Sequence, residues 1–377
     1  MYGQCDNTFS HLCNKNVHKI ILKMLSYIPQ YNIANSRFND PVYHVYEGDE
    51  CSQYLQKCVP FHLPQIESVL RVVIREFMDL EKKAINIIDI GSGPATVPIA
   101  FCRLFHENEH KYGFNITTIE PSKGFNDIIK IFIDTNRNKS VVVNNKKYDI
   151  FDDNLMYDES IFEIGYNWII IANFVSAIGS YYFFSWEDLP GCDEKKLIHF
   201  LGCVLGIDTP KTTKINKTND GNTINVTIEN ITATFTLNDH KTKAILTIND
   251  DKTYEFIADM EDGKLNIYPN KDTQNQCVNK ILNKLISKVL YYNNKVLLTI
   301  IESGSKKYMH IPYYISKIKE IGFDNLKILD KEIYTRINEQ KPSPQMMNCH
   351  FYRTNIHHPR YSPIINTISL WVENKNE

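Results

Sequence analysis

The sequence has no long hydrophobic run and almost no excess of charge. No apolar stretch in its 377 residues reaches the roughly 18 residues that a membrane-spanning helix requires. Residues 1–16 have neither a basic start nor a continuous apolar segment, which disfavours a secretory signal. The net charge of −2 gives no support for a strongly polyanionic partner. Together with a hydrophobic fraction of 43%, these absences predict an intracellular, cytoplasmic globular protein that does not enter a membrane.

Paired cysteines are also absent. The nine cysteines are scattered and no CxxC pair occurs, which disfavours both a disulfide framework and a zinc ribbon. Cys349 is followed by His350, His357 and His358, yet a zinc or iron–sulfur site needs about four converging soft ligands. We therefore expect no metal centre and interpret Cys349 as a packed strand residue.

Short, nearly continuous apolar runs alternate with helical patterns from residue 85 onward. The runs are INIIDI at 85–90, NITTIE at 115–120, one within 140–151, WIIIANF at 168–174, KVLLTIIE at 295–302 and TISLWVE at 367–373. Such strands are typical of a parallel sheet that is covered on both faces. With right-handed crossovers, the order predicts a doubly wound, Rossmann-like α/β fold.

Two further segments do not follow this alternation of strands and helices. Apolar residues at helical spacing over 15–28 and about 63–80 predict an N-terminal helical region. A later segment alternates apolar and polar residues and is interrupted by turn residues, which predicts an inserted antiparallel meander of roughly four or five strands. We therefore divide the chain into an N-terminal helical cap at 1–82, a Rossmann-like domain at 83–209 and 276–377, and a β insertion at 210–275.

The stretch NIIDIGSGPATVPIA at 86–100 places two glycines between an apolar strand and a helix. A glycine-rich turn there lets the backbone approach a nucleotide, and the helix N-terminus supplies N–H groups. Dinucleotide binding favours a small third residue, but the pattern here is Gly91-x-Gly93-x-x-Thr96. The alternative pattern has an acidic residue two positions before the first glycine, as Asp89 is, and its ligand presents an amino-acid portion with an ammonium group to the turn.

On these residues the sequence resembles the class I S-adenosylmethionine (SAM) methyltransferases. IIDIGSGPAT is similar to their first motif, with Ala95 where a third glycine often stands, and ITTIEPS is similar to their second strand. The resemblance implies that Glu120 binds the two ribose hydroxyls, a task that suits a carboxylate. IIIANFVSAIG resembles the fourth strand, which implies that Asn173 and Phe174 border both cofactor and substrate.

The third acid of the family, near the adenine, would fall in DIFDDN, where Asp152 and Asp153 are both candidates. The cofactor-binding residues that the resemblance implies are Asp89, Gly91, Ser92, Gly93, Pro94, Glu120, Asp152, Asn173 and Phe174. The cofactor that it implies is SAM.

A narrower resemblance extends over about 45–205 and 280–373. CHFYR near the C-terminus, IIESG after the fifth strand and YLQKCVPFHLPQIESVL before the first motif are similar to a small-ribosomal-subunit methyltransferase-like family. That family has clustered metal-binding cysteines in its C-terminal half, and Cys349 has none nearby. This departure leaves open a second function class, a catalytically silent methyltransferase-like binding or ribosome-assembly factor.

Methyl transfer from a sulfonium is an in-line displacement, in which the enzyme chiefly aligns the acceptor with the methyl carbon. Asn173 is the candidate that would align a nitrogen acceptor, and Glu302 is the candidate base for an oxygen acceptor. The segment 303–361 contains 10 Lys and Arg against 5 Asp and Glu, with interleaved tyrosines, so RNA is one candidate acceptor and a small molecule or peptide is the other. The sequence does not indicate an oligomeric state.

Overall fold

The computed structural model describes most of the chain from residue 84 onward and parts of the preceding segment. The described residues are 45–47, 50–51, 54, 59–77, 84–105, 113–187, 189, 194–206, 215–219, 221–228, 230–261, 263–303, 314, 318, 320–337 and 365–375. The predicted helix at 15–28 lies outside them, as do Cys349, His350, His357 and His358.

A seven-stranded sheet forms the centre of the described structure, in the order β13-β14-β12-β4-β1-β2-β3. The five strands from β12 to β3 are parallel to one another, whereas β14 is antiparallel to β12 and to β13. Their bounds are β1 Ala84–Ile90, β2 Gly113–Ile119, β3 Val141–Lys146, β4 Trp168–Ala172, β12 Lys295–Ser303, β13 Leu326–Ile337 and β14 Ile365–Asn374.

Eight helices lie within the described residues. Their bounds are α1 Val59–Phe77, α2 Thr96–Leu104, α3 Lys123–Thr135, α4 Asp153–Tyr157, α5 Glu159–Phe162, α6 Val175–Ser180, α7 Glu194–Leu205 and α8 Lys271–Leu290. Ser122 begins α3 by accepting a hydrogen bond from the N–H of Phe125, and Asn270 begins α8 in the same way through Thr273.

Successive residues of the central strands belong to two different hydrophobic cores. Ile87 of β1 packs with α1, α2 and α3, whereas Ile88 packs with α4 to α8. Because side chains alternate across a strand, these cores lie on opposite faces of the sheet. Because both faces of the sheet are buried, apolar residues point to both sides of these strands, and the strands appear in the sequence as nearly continuous hydrophobic runs.

A second, antiparallel sheet has the order β5-β11-β10-β9-β8-β7-β6. Its outward residues are mostly polar and its inward residues are buried, as the alternation in β7 and β8 shows. The bounds are β5 Phe184–Ser185, β6 Ile215–Asn219, β7 Thr223–Ile228, β8 Ile231–Leu237, β9 Lys243–Ile248, β10 Lys252–Glu261 and β11 Lys264–Pro269.

The predicted antiparallel meander agrees with this sheet, although the structure has six strands from β6 to β11 where we expected four or five. A seventh strand, β5, comes from residues before 210 and pairs with β11 through Ile267 and Phe184. Strand β13 was not predicted from the sequence. Helix α1 begins at Val59, four residues before the predicted start, and ends at Phe77. The domain boundaries remain a prediction.

Candidate functional site

A cavity opens at the carboxyl ends of β1 and β4, where the order of the parallel strands reverses. From β1 the chain proceeds outward through β2 and β3, and then returns to β4 on the other side. Such a switch point leaves a crevice between the loops that follow the two neighbouring strands. The cavity comprises about 260 Å³ of space that is partly open to solvent, and its lining includes Asp89, Gly93, Thr96, Asn173, Tyr54 and His62.

Gly91 must be a glycine for two reasons. Its φ of +66° is left-handed, and a Cβ on it would lie 2.3 Å from Cγ of Phe174, inside the aromatic ring. Phe174 therefore packs directly against the turn. Phe174, which was predicted to border the cofactor, lies beside the turn and is not among the cavity-lining residues.

Gly93 is also left-handed, with φ of +54°, but the space beside it is open. The nearest heavy atom to a Cβ there would be Cε1 of Tyr54, at 3.9 Å. Gly93 therefore leaves room on the cavity side of the turn. Ala95 adopts φ of +62° just before α2, a conformation that glycine adopts at lower cost and in which the related motif often has glycine.

Ser92 and Pro94 complete the turn. The Ser92 hydroxyl donates to the main-chain oxygen of Asp89 at 2.8 Å, which closes the turn onto the end of β1. Ser92 lines the cavity. Pro94 is buried behind it and is not among the lining residues.

Asp89 is the most unusual group in the cavity wall. Its side chain is 1% exposed, and neither carboxylate oxygen has a hydrogen-bond partner among the described residues. Burial is the main cause that raises the pKa of this carboxyl to about 8; the nearby Ser92 hydroxyl opposes the rise and the charge of Glu120 adds to it. An unpaired buried carboxylate raises the free energy of the folded protein. A cationic or hydrogen-bond-donating ligand that binds Asp89 would lower it.

Glu120 follows β2 directly and reaches the glycine turn. One carboxylate oxygen accepts from the N–H of Gly93 at 2.8 Å and the other from the N–H of Ser122 at 2.9 Å. Burial raises the pKa of Glu120 to about 7, although these two N–H groups oppose the shift. Because Ile90 pairs with Ile119, Glu120 follows β2 at the level where the glycine turn follows β1.

Aromatic residues from the N-terminal side pack against the first turn of α3, which follows this acid. The rings of Tyr46, Tyr54 and Phe125 lie within 5.3 Å of one another by their centroids. The Ser122 hydroxyl donates to the main-chain oxygen of Tyr46. Tyr54 shares a hydrogen bond of 3.3 Å with Nδ1 of His62 in α1. Sequence analysis did not single out Tyr54 or His62, because no motif connects them to the glycine turn.

Asn173 follows β4 with φ of +57°, a left-handed conformation that asparagine tolerates better than most residues. Its N–H donates to the main-chain oxygen of Ile301 at 2.6 Å, and Ile301 pairs with Ala172. Glu302, which is 2% exposed, therefore lies next to Asn173 at the same edge of the sheet. The structure brings the two catalytic candidates together, but only Asn173 lines the cavity.

Neither predicted candidate for the third acid faces this cavity. Asp152 is exposed and accepts from the N–H of Asn154, which begins α4. Asp153 forms an ion pair of 2.7 Å with Lys284 of α8. Asp149, in the same DIFDDN stretch, is half-buried and lies close enough to Glu120 to raise its pKa. The prediction of Asp152 is therefore not supported by its position, because a helix-capping role occupies its side chain.

The described residues contain no group of three His, Cys, Asp or Glu side chains that could hold a metal ion. Within the same ranges, none of the helices is both long and apolar enough to cross a membrane.

No family model and no curated protein matches the sequence. Solved structures do match. One is a putative class I SAM-dependent methyltransferase from Listeria monocytogenes, at 8% identity and a TM-score of 0.39, covering 96% of this chain and 70% of that one.

Two more are methyltransferases with S-adenosylhomocysteine (SAH). The plantazolicin methyltransferase BpumL matches at 12% identity and a TM-score of 0.35, covering 96% of this chain and 98% of that one. Loganic acid methyltransferase matches at 10% identity and a TM-score of 0.38, covering 89% and 99%. The narrower ribosomal resemblance finds no support among these matches. At TM-scores below 0.5 the likeness decides nothing about activity, which must be argued from the site.

Proposed function

We propose that this chain is a SAM-dependent methyltransferase of class I in which Asp89 binds the ammonium group of the cofactor's methionine portion. The observation that carries the proposal is the buried carboxylate of Asp89, which lacks a partner among the described residues and belongs to the wall of a cavity. An ammonium group supplies both the charge and the hydrogen-bond donors that this carboxylate lacks.

The rest of the site is consistent with that cofactor. The open space beside Gly93 admits a ligand against the backbone of the turn. Glu120 has lone pairs beyond those bonded to Gly93 and Ser122, so its carboxylate is able to accept from a ribose diol. We assign Asp149, rather than Asp152, to the adenine side, because Asp149 lies near Glu120. Unlike a dinucleotide, SAM has no pyrophosphate, so its binding does not call for a basic cavity and is compatible with an acidic one.

When bound, SAM supplies an electrophilic methyl group on a sulfonium. The contribution of this chain is alignment and exclusion of water. Asn173, at the carboxyl ends of β4 and β12, orients the acceptor through its amide, and the buried Glu302 beside it supports that position. Tyr46 and Tyr54 cover the site from the N-terminal side.

The acceptor class is a narrower proposal. We favour a small molecule or a peptide, because the described residues that line the cavity include the acidic Asp89 and no lysine or arginine. Most of the basic segment 303–361 that suggested RNA lies outside the described residues, so RNA remains a prediction from the sequence.

The experiment uses tritiated SAM and has two readouts. Retention of label on the purified protein measures cofactor binding, and transfer of label to pools of small molecules, peptides or RNA measures methylation. Binding with transfer supports the enzyme. Binding without transfer to any pool indicates the catalytically silent binding protein. Absence of binding at millimolar SAM would overturn the enzyme and would favour a binding protein that does not use SAM.

A further inference from the structure

Two thiols from opposite sides of the β insertion meet between α7 and α8. Cys203 is in α7, which precedes the insertion, and Cys277 is in α8, which follows it. Each thiol influences the pKa of the other, so the two sulfurs lie close together. Lys280, one turn beyond Cys277, donates to the main-chain oxygen of Cys203. The two helices therefore touch at these residues, although the cysteines are far apart in the sequence.

Polar groups surround the sulfur of Cys203. His199, four residues earlier on α7, places its Nδ1 3.7 Å from this sulfur. The Tyr182 hydroxyl lies 3.2 Å from the same sulfur and 2.7 Å from the His199 nitrogen. A thiolate is stabilised by an adjacent imidazolium, by hydroxyl donors and by nearby ammonium groups. The charged and titratable groups near the sulfur pair include Tyr182, His199 and Lys280, and Tyr254 of β10 interacts with Cys277.

We propose that Cys203 is a reactive thiolate that hydroperoxides oxidise and that Cys277 then resolves as a disulfide. The contacts lower the pKa of Cys203 to about 4, chiefly through Cys277 and His199, while burial raises the pKa of Cys277. Cys203 is 9% exposed and Cys277 is 0% exposed. The order of events follows: a small peroxide reaches Cys203 first, and Cys277 reacts from the interior.

The chemistry balances with one peroxide as the oxidant. The Cys203 thiolate attacks one peroxide oxygen, the O–O bond breaks, and two electrons pass from sulfur to the departing hydroxide or alkoxide, which takes the proton that Cys203 gave up. Cys203 is then a sulfenic acid. The Cys277 thiol attacks that sulfur, the S–S bond forms, the S–O bond breaks, and the leaving hydroxide takes the Cys277 proton to become water. The disulfide would close a loop that contains strands β6 to β11 and join the two ends of the insertion.

Two other buried cysteines serve as internal controls. Cys51 is 3% exposed and contacts the Ser122 hydroxyl, and burial is the main cause that raises its pKa. Cys102 is 1% exposed and contacts Oδ1 of Asn136. Because both thiols are buried, we expect both to react slowly.

The test uses the reduced full-length protein. One equivalent of hydrogen peroxide is added, free thiols are blocked with N-ethylmaleimide, and the peptides are mapped by mass spectrometry. We expect a peptide pair joined through Cys203 and Cys277, with Cys51 and Cys102 still reduced. With iodoacetamide at pH 6, Cys203 should be alkylated at least ~10-fold faster than either control cysteine.

Variants test the order of the two steps. In Cys277→Ser, the sulfenic acid should persist at Cys203 and be trapped by dimedone. In His199→Asn, alkylation of Cys203 should slow by ~10-fold while that of Cys102 does not change. Equal alkylation rates for Cys203 and Cys102 in the wild-type protein would overturn the proposal, as would a peroxide-treated protein in which Cys203 stays reduced or pairs with another cysteine. These outcomes do not depend on SAM binding.

Discussion

The carboxylate of Glu120 accepts a hydrogen bond from the main-chain N–H of Gly93 at 2.8 Å, which joins the loop after β2 to the glycine turn after β1. The same carboxylate holds the N–H of Ser122, which begins α3. One buried acid thus fixes the relative positions of two loops that border the cavity. Asp89, on the neighbouring strand, has no such partner among the described residues. The two acids of the site therefore differ: each oxygen of Glu120 already accepts a hydrogen bond, whereas the oxygens of Asp89 still need donors.

Replacing Asp89 with asparagine should stabilise the ligand-free protein at neutral and alkaline pH. The folded-state pKa of about 8 is above the ordinary value, so stability is fully present near pH 4 and is lost as the pH rises toward 8. Asp89→Asn removes this loss. Its Tm should exceed that of the wild type by at least roughly 2–4 °C at pH 8, the shift that ~1 kcal/mol causes in a large domain, and the difference should shrink toward pH 5. A difference that does not depend on pH would contradict the assignment.

The two glycines of the turn should respond differently to alanine. Gly91→Ala places a Cβ inside the Phe174 ring, so we expect loss of stability by ~3 kcal/mol or more, or no folded protein. Gly93→Ala has open space and should cost only the ~1–2 kcal/mol of a left-handed alanine, while its methyl group weakens SAH binding. Thermal unfolding and SAH titration measure both effects. Similar Tm values for the two variants would show that the packing of Phe174 is not as described.

Substitutions of Asn173 separate its backbone role from its side-chain role. Asn173→Gly and Asn173→Ala both remove the amide, but only glycine adopts φ of +57° without strain. We expect Asn173→Ala to be less stable than Asn173→Gly by ~1 kcal/mol, and both to reduce methyl transfer by a similar factor. If Asn173→Gly transferred methyl groups as fast as the wild type, the side chain would have no role in positioning the acceptor.

The affinity for SAH should rise with pH. Below pH 8 the Asp89 carboxyl of the ligand-free protein is protonated, and binding an ammonium group requires the carboxylate, so binding releases a proton. The affinity should therefore increase by up to ~10-fold per pH unit between pH 6 and 8 and then level off. Titration calorimetry in two buffers of different ionisation enthalpy would measure the released protons directly. Binding without proton release would mean that Asp89 is not the ammonium partner.

Much of the fold could be predicted from the sequence because its strands are buried on both faces and are therefore visible as apolar runs. The bounds of β1, β4 and β12 follow those runs to within two residues. Strand β13, LKILDKEIYTRI, was missed because charged residues interrupt its apolar pattern.

The site was predictable only where a motif is continuous in the sequence. Asp89, Gly91 and Gly93 lie in one turn, and Glu120 follows from the next strand. Tyr54 and His62 reach the cavity from another part of the chain, which no local pattern indicates. The third acid remains a prediction, because several aspartates stand within five residues; the structure adds that Asp152 caps its own helix whereas Asp149 approaches Glu120.

The most direct test of the central claim is a calorimetric titration with SAH at pH 8 of the wild type, Asp89→Asn and Asp152→Asn. Both variants remove one carboxylate near the same sheet edge, but only Asp89 lines the cavity, while Asp152 is exposed. We predict micromolar binding to the wild type and to Asp152→Asn, and a loss of at least ~100-fold in Asp89→Asn, as expected when a buried charge-assisted hydrogen bond is removed. Equal affinities for all three proteins, or no binding to the wild type, would contradict the account.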